Sequence, residues 1–141
     1  MQKKSLKKVR GLTLLELMVV LAILAFLGAM VGPAVMNQFS GAKVKTAAIQ
    51  IADIEKALDL YKLDVGRYPT TQQGLEALVK APAGTLGWAG PYLSGSLPKD
   101  PWGAAYQYKF PGSNGGVELL SLGADSAVGG EGENADIRNR Q

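Results

Sequence analysis

Two groups of residues in this 141-residue chain could do chemistry. The first is a charge pattern: Lys3, Lys4, Lys7, Lys8 and Arg10 precede Gly11, one carboxylate, Glu16, follows, and no charged residue then occurs from Leu17 to Ala42. The second is an oxygen-rich stretch in which Asp125, Glu131, Glu133, Asn134 and Asp136 are interspersed with Gly123, Gly129, Gly130 and Gly132. Hard oxygen donors on a pliable backbone suit Ca2+, which takes about six to eight oxygens, backbone carbonyls included. The spacing is not that of an EF-hand, and the same residues also read as a solvated acidic tail. The chain contains neither Cys nor His, which removes disulfides, thiol nucleophiles, His-dependent triads and ordinary zinc sites. A Ser–Lys or carboxylate-pair arrangement remains formally open, but no motif supports one, and no enzyme is expected.

Leu17 to Met36 is apolar apart from Gly28, Gly32 and Pro33, and about 20 such residues span a bilayer core as a helix. The basic cluster should keep its end in the cytoplasm, so that the remainder is translocated. An acid inside a membrane helix costs roughly 2.5–3.5 kcal/mol, less near the helix N-terminus, where the dipole favours negative charge. Glu16 is therefore either a carboxylate snorkelling at the membrane surface or half of an ion pair. Cleavage after Gly11 would create an α-amino group at Leu12. That amine points the wrong way to pair with Glu16 of its own helix, but the amine of a staggered neighbouring copy could reach it. A secretory signal would have a shorter apolar core followed by a small-residue cleavage site, and no such site follows. A plain single-pass anchor accounts for everything except the placement of Gly11 and Glu16.

Five of the 15 basic residues lie before Gly11, so a chain beginning at Leu12 would carry ten basic against 12 acidic residues. The basic balance belongs to the leader and implies no nucleic-acid partner. Outside the leader and apolar run, about 100 residues remain, enough for one small domain.

The elements that must position these residues follow from periodicity. Val44, Ala47, Ala48, Ile51, Ile54, Leu58 and Tyr61 recur at helical spacing with Lys45, Asp53, Lys56 and Asp59 between them, an amphipathic stripe. One helix is expected from Leu12 to about Asp64, with Gly66 placed to end it. Pro33 removes a helix hydrogen bond, so a kink or local opening is expected there. Thr70 and Gln73 have capping-box spacing, which predicts a short helix over about Thr71–Lys80. Residues 83–103, rich in Gly and Pro, read as an irregular loop anchored by Trp88, Tyr92 and Trp102. Tyr106, Tyr108 and Phe110 alternate with Gln107 and Lys109, a half-buried strand. Gly112–Gly116 is turn chemistry, and Val117–Leu122 supplies the return strand. The expected class is α+β: a long N-terminal helix, membrane half and amphipathic half, packed on a small antiparallel sheet.

G-x-T-L-L-E-L-M-V-V-L-A-I-L, from Gly11 to Leu24, resembles the prepilin-type signal shared by type IV pilins and type II secretion pseudopilins. The stretches YKLDVGRYPTTQQGLEALV (Tyr61–Val79), GPYL (Gly90–Leu93), LPKDPWGAAYQY (Leu97–Tyr108) and SLGADSAVGGEGENADI (Ser121–Ile137) resemble the major pseudopilin family of type II secretion. The resemblance implies a type IV pilin-like fold with a C-terminal calcium loop. It also implies a leader over 1–11 cut by a prepilin peptidase between Gly11 and Leu12, N-methylation at Leu12, a transmembrane and filament-core helix over 12–36 and a periplasmic domain over 37–141. Glu16 becomes the assembly glutamate, and Pro33 a place where the helix could melt in the fibre. Calcium is implied, held by the side chains of Asp125 and Asp136 with carbonyls near Leu122 and Ser126.

The implied partners are other copies of the chain, minor pseudopilins, an inner-membrane assembly platform and an outer-membrane secretin, with membrane lipid before assembly and no nucleic acid. The implied role is the major structural subunit of a periplasmic pseudopilus that helps export folded proteins, anchored before assembly in the inner membrane with its N-terminus cytoplasmic. A type IV pilin, or a monomeric membrane-anchored calcium-binding module, is the alternative. The chain departs from the family pattern at Asn134, where many relatives have Asp. It departs again where relatives typically read D-I-G-N-W and this chain reads Asp136-Ile137-Arg138-Asn139-Arg140, without the tryptophan and with added arginines. Less negative charge around an ion, and a lower calcium affinity, are the expected results.

Overall fold

The computed structural model describes residues 12–139. Helix α1 runs Leu14–Val65. Its start is fixed by Thr13, whose hydroxyl accepts the Glu16 N–H at 3.2 Å, satisfying one of the donors that a helix N-terminus leaves open. It ends one residue before Gly66, whose N–H still bonds to the Lys62 carbonyl at 2.8 Å. The helix is unbroken across Gly32 and Pro33, although proline can donate no N–H to the turn before it.

The chain divides into two units, residues 1–38 and 39–141. In the first, the described apolar side chains are all exposed, from Leu14 at 78% to Val35 at 43%. This part of α1 holds a window of mean hydropathy 2.7, long and apolar enough to cross a membrane. Among the described residues of the unit, no core absorbs that surface.

In the second unit, the inner face of α1 presents Ala47, Ile51, Ile54, Ala57, Leu58 and Tyr61, all buried. Two positions differ from the expected stripe. Ala48 is exposed and Val44 half-buried, whereas Ala57, next to Leu58, is buried. Alanine is small enough to sit on either edge of a stripe, and the neighbour across it decides which side is covered. Leu75, Ala77, Leu78, Tyr106, Val117 and Leu119 complete the core.

The Thr70 capping box forms: the Thr70 N–H donates to Gln73 Oε1 at 2.9 Å and the Gln73 N–H to Thr70 Oγ1 at 3.2 Å. The expected helix over Thr71–Lys80 does not. Gly74 takes φ 61°, ψ −167°, a conformation that interrupts a right-handed helix and that a residue with a Cβ rarely adopts. Only a 3-10 turn, Leu75–Leu78, follows.

Residues 83–103 form the expected loop, tied down by its aromatics. Trp88 Nε1 donates to the Ala77 carbonyl at 2.8 Å, and the Tyr92 hydroxyl donates to Asp64 Oδ2 at 2.9 Å. The Trp88 and Tyr92 rings meet edge-to-face at 5.7 Å. Buried Asp100 closes the loop onto the sheet: Oδ1 accepts the N–H groups of Trp102 and Ala104, and Oδ2 accepts the Ser121 hydroxyl at 2.7 Å.

Three strands pair antiparallel in the order β1 (Gln107–Lys109), β2 (Glu118–Ser121), β3 (Ile137–Arg138). Tyr108 faces Leu119 across β1–β2, and Ser121 faces Ile137 across β2–β3. Tyr106, Tyr108 and Phe110 are buried or half-buried while Gln107 and Lys109 are exposed, as the alternation predicts. The third strand was not expected from sequence: two residues are too few to alternate.

Candidate functional site

Two places carry the candidate residues. At the start of α1, Gly11 lies outside the described residues, and Leu12, two residues before the helix, is 75% exposed. Glu16 is in the first turn of α1. Thr13 and Glu16 stand in T-x-x-E spacing, the capping-box signature, which the sequence analysis did not use. Glu16 thus occupies the position where a helix most readily accepts a negative charge, and it heads an exposed apolar surface that runs from Leu17 to Val35.

The second place is the loop between β2 and β3. The antiparallel register pairs Ser121 with Ile137, so one step further sets Leu122 opposite Asp136. The loop is closed just above, where the Ala124 N–H donates to the Glu133 carbonyl at 2.9 Å. Gly123 (φ 67°) is packed against backbone: an added Cβ would overlap the Glu133 carbonyl oxygen and come within 3.0 Å of the Ala135 carbonyl oxygen. Ser126 is also left-handed, at φ 54°. Asp125 is exposed and its Oδ1 accepts the Ala127 N–H at 3.1 Å. The ends of the loop, with Leu122 and Asp136, are therefore brought together, while Asp125 and Ser126 sit on the turn beyond them.

The residues present fit a calcium ion in one specific respect. Asp136 Oδ1 is buried and has no hydrogen-bond donor. Buried acceptors are nearly always satisfied, and a cation would satisfy this one. The carbonyls crowded around Gly123 are the kind of donor such an ion takes up. Among the described residues, no three acidic side chains converge as a ligand cluster, so carbonyls would have to supply most of the coordination.

Sequence reading missed one residue that organises this region. Asn139 Oδ1 accepts the Leu119 N–H at 2.9 Å, and its Nδ2 donates to the Val117 carbonyl at 3.0 Å and to Glu55 Oε1 at 3.1 Å. Its own N–H donates to the Leu119 carbonyl at 3.1 Å. One side chain joins the tail, β2 and α1. Its place in the D-I-G-N-W pattern was the available signal.

A groove of about 500 Å3 beside it is lined by Glu55, Leu58, Asp59, Tyr68, Asn114, Gly116, Val117 and Asn139. Within it the Tyr68 hydroxyl donates to Asp59 Oδ1 at 2.8 Å.

Residues 34–140 match the model of the family described as type II secretion system protein G, and residues 6–32 match the prokaryotic N-terminal methylation motif. The chain belongs to the type II secretion system protein G family. It is 51% identical over 132 residues to the type II secretion system core protein G of Pseudomonas aeruginosa, covering 92% of this chain and 93% of the relative. The corresponding protein of Vibrio cholerae is 47% identical, covering 96% and 94%. Among solved structures, the chain is similar to the crystal structure of the major pseudopilin from the type 2 secretion system of enterohaemorrhagic Escherichia coli. The TM-score is 0.63 at 34% identity, covering 74% of this chain and 87% of that one. The α+β, pilin-like architecture expected from sequence is the observed one, and the family is one of structural pseudopilin subunits rather than enzymes.

Proposed function

We propose that the chain is the major subunit of a type II secretion pseudopilus, made as a membrane-anchored precursor and polymerised in the periplasm with copies of itself. The observation that carries this reading is the exposed apolar length of α1 headed by a single acid. Residues 14–35 bury nothing within their own unit, so they require lipid or the same segment of other copies. Membership of the protein G family supports the reading.

In this reading the basic leader holds the N-terminus in the cytoplasm, a prepilin peptidase cuts between Gly11 and Leu12, and the new amine at Leu12 is methylated. The segments are then leader 1–11, membrane and filament-core helix 12–36 and periplasmic domain 37–141. Glu16 pairs with the N-terminus of a neighbour and sets the stagger of the fibre, and Pro33 allows the helix to open when subunits pack. Minor pseudopilins, an assembly platform and a secretin complete the system, and partners supply the ATP-driven machinery, since the sequence carries no P-loop motif.

Calcium belongs to the proposal as well. Asp136 and Asp125 would hold it by side chains, with the Leu122 and Ser126 carbonyls. When bound, the ion would supply positive charge that draws these oxygens together and stabilises the folded loop.

The decisive experiment joins processing to assembly. Mass and N-terminal sequence, from cells with and without prepilin peptidase, should show a peptidase-dependent start at Leu12. Glu16→Ala should remain in the membrane but yield no filaments by electron microscopy. Filaments formed by Glu16→Ala at the wild-type level would refute the assembly role of that carboxylate.

A further inference from the structure

Arg138 lies on β3, two residues after Asp136, and its contacts are informative. The guanidinium forks between two carboxylates: Nη2 lies 3.2 Å from Asp136 Oδ2, and Nη1 lies 3.6 Å from Glu118 Oε1. Both acids are largely covered, at 12% and 20% side-chain exposure, while Arg138 itself is half-exposed. The two oxygens of Asp136 are thus divided, Oδ2 taken by Arg138 and Oδ1 left buried without a donor. Asp136 is also the carboxylate assigned to calcium in the proposed function, on which this inference rests.

We propose that Arg138 is a built-in cation of the C-terminal loop: it neutralises Asp136 without a metal, keeps the loop ordered when calcium is scarce, and lowers calcium affinity.

The physical argument has two parts. A covered carboxylate with no counter-charge is costly, and a guanidinium joined by a charge-assisted hydrogen bond relieves that cost. The bridge ties Asp136, at the end of the loop, through Arg138 to Glu118 at the start of β2, so it fixes the carboxylate against the sheet rather than across the loop itself. An ion on Oδ1 must then bind beside an existing positive charge. For a divalent ion about 6 Å from a guanidinium in a water-like medium, the repulsion is worth about tenfold in affinity, and somewhat less at physiological salt. A partner that merely orients the carboxylate would have the opposite effect, because such partners strengthen metal binding.

The test uses the full-length chain in detergent micelles, stripped with EDTA, as wild type, Arg138→Gln, Arg138→Lys and Asp136→Asn. Two measurements are made on each: calcium titration by calorimetry, and cleavage at Glu131 and Glu133 by a glutamyl endopeptidase with and without calcium. Removing the charge in R138Q should tighten calcium binding about tenfold, speed loop cleavage in EDTA, and leave the loop protected once calcium is added. R138K keeps the charge and should behave as wild type, and D136N should lose calcium binding. Equal or weaker calcium binding by R138Q, with D136N still defective, overturns the role of Arg138 and leaves the calcium loop standing. Absence of calcium binding in every chain, or binding untouched by D136N, overturns the calcium site and this proposal together.

Discussion

Replacing Asn139 with alanine should cost far more than an ordinary substitution outside the core. The Leu119 N–H and the Val117 carbonyl belong to buried residues, and each loses its partner when the amide is removed. Burying an unpaired group costs about 1–3 kcal/mol. The carbonyl retains a second lone pair and the Glu55 contact is partly solvated, so the total should be about 2–3 kcal/mol rather than the full sum. For a domain of this size each kcal/mol moves Tm by about 4–8 °C, so Asn139→Ala should melt roughly 10–20 °C below wild type. The assay is thermal unfolding of the full-length chain in detergent, followed by near-UV circular dichroism of the core aromatics. Hydrogen exchange at the Leu119 amide should accelerate in parallel. Asn139→Asp sharpens the test: it keeps an acceptor for Leu119 but loses both donors and faces Glu55 with a second charge, so it should be at least as destabilising. A Tm for Asn139→Ala within about 3 °C of wild type would show that the tail is not held as described and would sink this account of the sheet edge.

Two further outcomes follow from the geometry. Gly123→Ala places a Cβ in the left-handed region, at about 1–2 kcal/mol, and against the Glu133 carbonyl. It should open the loop to proteolysis and weaken calcium binding while Tyr61 and the rest of the core stay folded, and an unchanged loop would contradict the close packing at that glycine. Stability should also fall in alkali. Burial, and then the charge of Asp100, push the Tyr106 phenol up to about 12, and burial chiefly raises Tyr108 as well. A raised phenol means that the folded chain holds its proton more tightly than the unfolded one. That contribution is complete below the ordinary value of about 10 and is lost as pH climbs through about 12. Urea unfolding at about pH 9 and about pH 11 should show the loss, and equal stability at the two would refute it.

Where sequence reading succeeded, the determining forces were local. The apolar run, the end of α1 before Gly66, the Thr70–Gln73 box and the Tyr106–Phe110 alternation each depend on residues a few positions apart, and each is present in the structure. It fell short where a distant partner or one backbone angle decided the outcome. Nothing near Ala48 and Ala57 says which edge of the stripe the sheet will cover. Gly74 is one residue inside an otherwise plausible helix, and its conformation alone reduces that helix to a 3-10 turn. Strand β3 exists because Asn139 and the backbone of β2 complete each other from opposite ends of a long loop. The orphaned oxygen of Asp136 was invisible for a related reason: the acidic letters were legible, but which of them is buried depends on the strands that flank the loop.

The exposed part of α1 raises a final point about what could drive assembly. Burying apolar surface from water is worth about 25 cal/mol per Å2, but in the proposed function this segment lies in lipid, not water, before it polymerises. Lipid tails are as apolar as leucine, so moving Leu17 to Val35 from bilayer to fibre gains almost nothing from the hydrophobic effect, and close packing and polar contacts must decide. Gly28 and Gly32, where an added Cβ would meet nothing within 4 Å, contribute nothing to their own unit and carry a poor helix propensity. Glu16 is the acidic residue in the first turn of α1. Its desolvation is a cost in lipid that the helix dipole lessens and a positive partner relieves further, so it acts on the difference between the two apolar environments. That is why its removal should leave membrane retention intact while abolishing filaments: a substitution acting through general helix stability would lower both together.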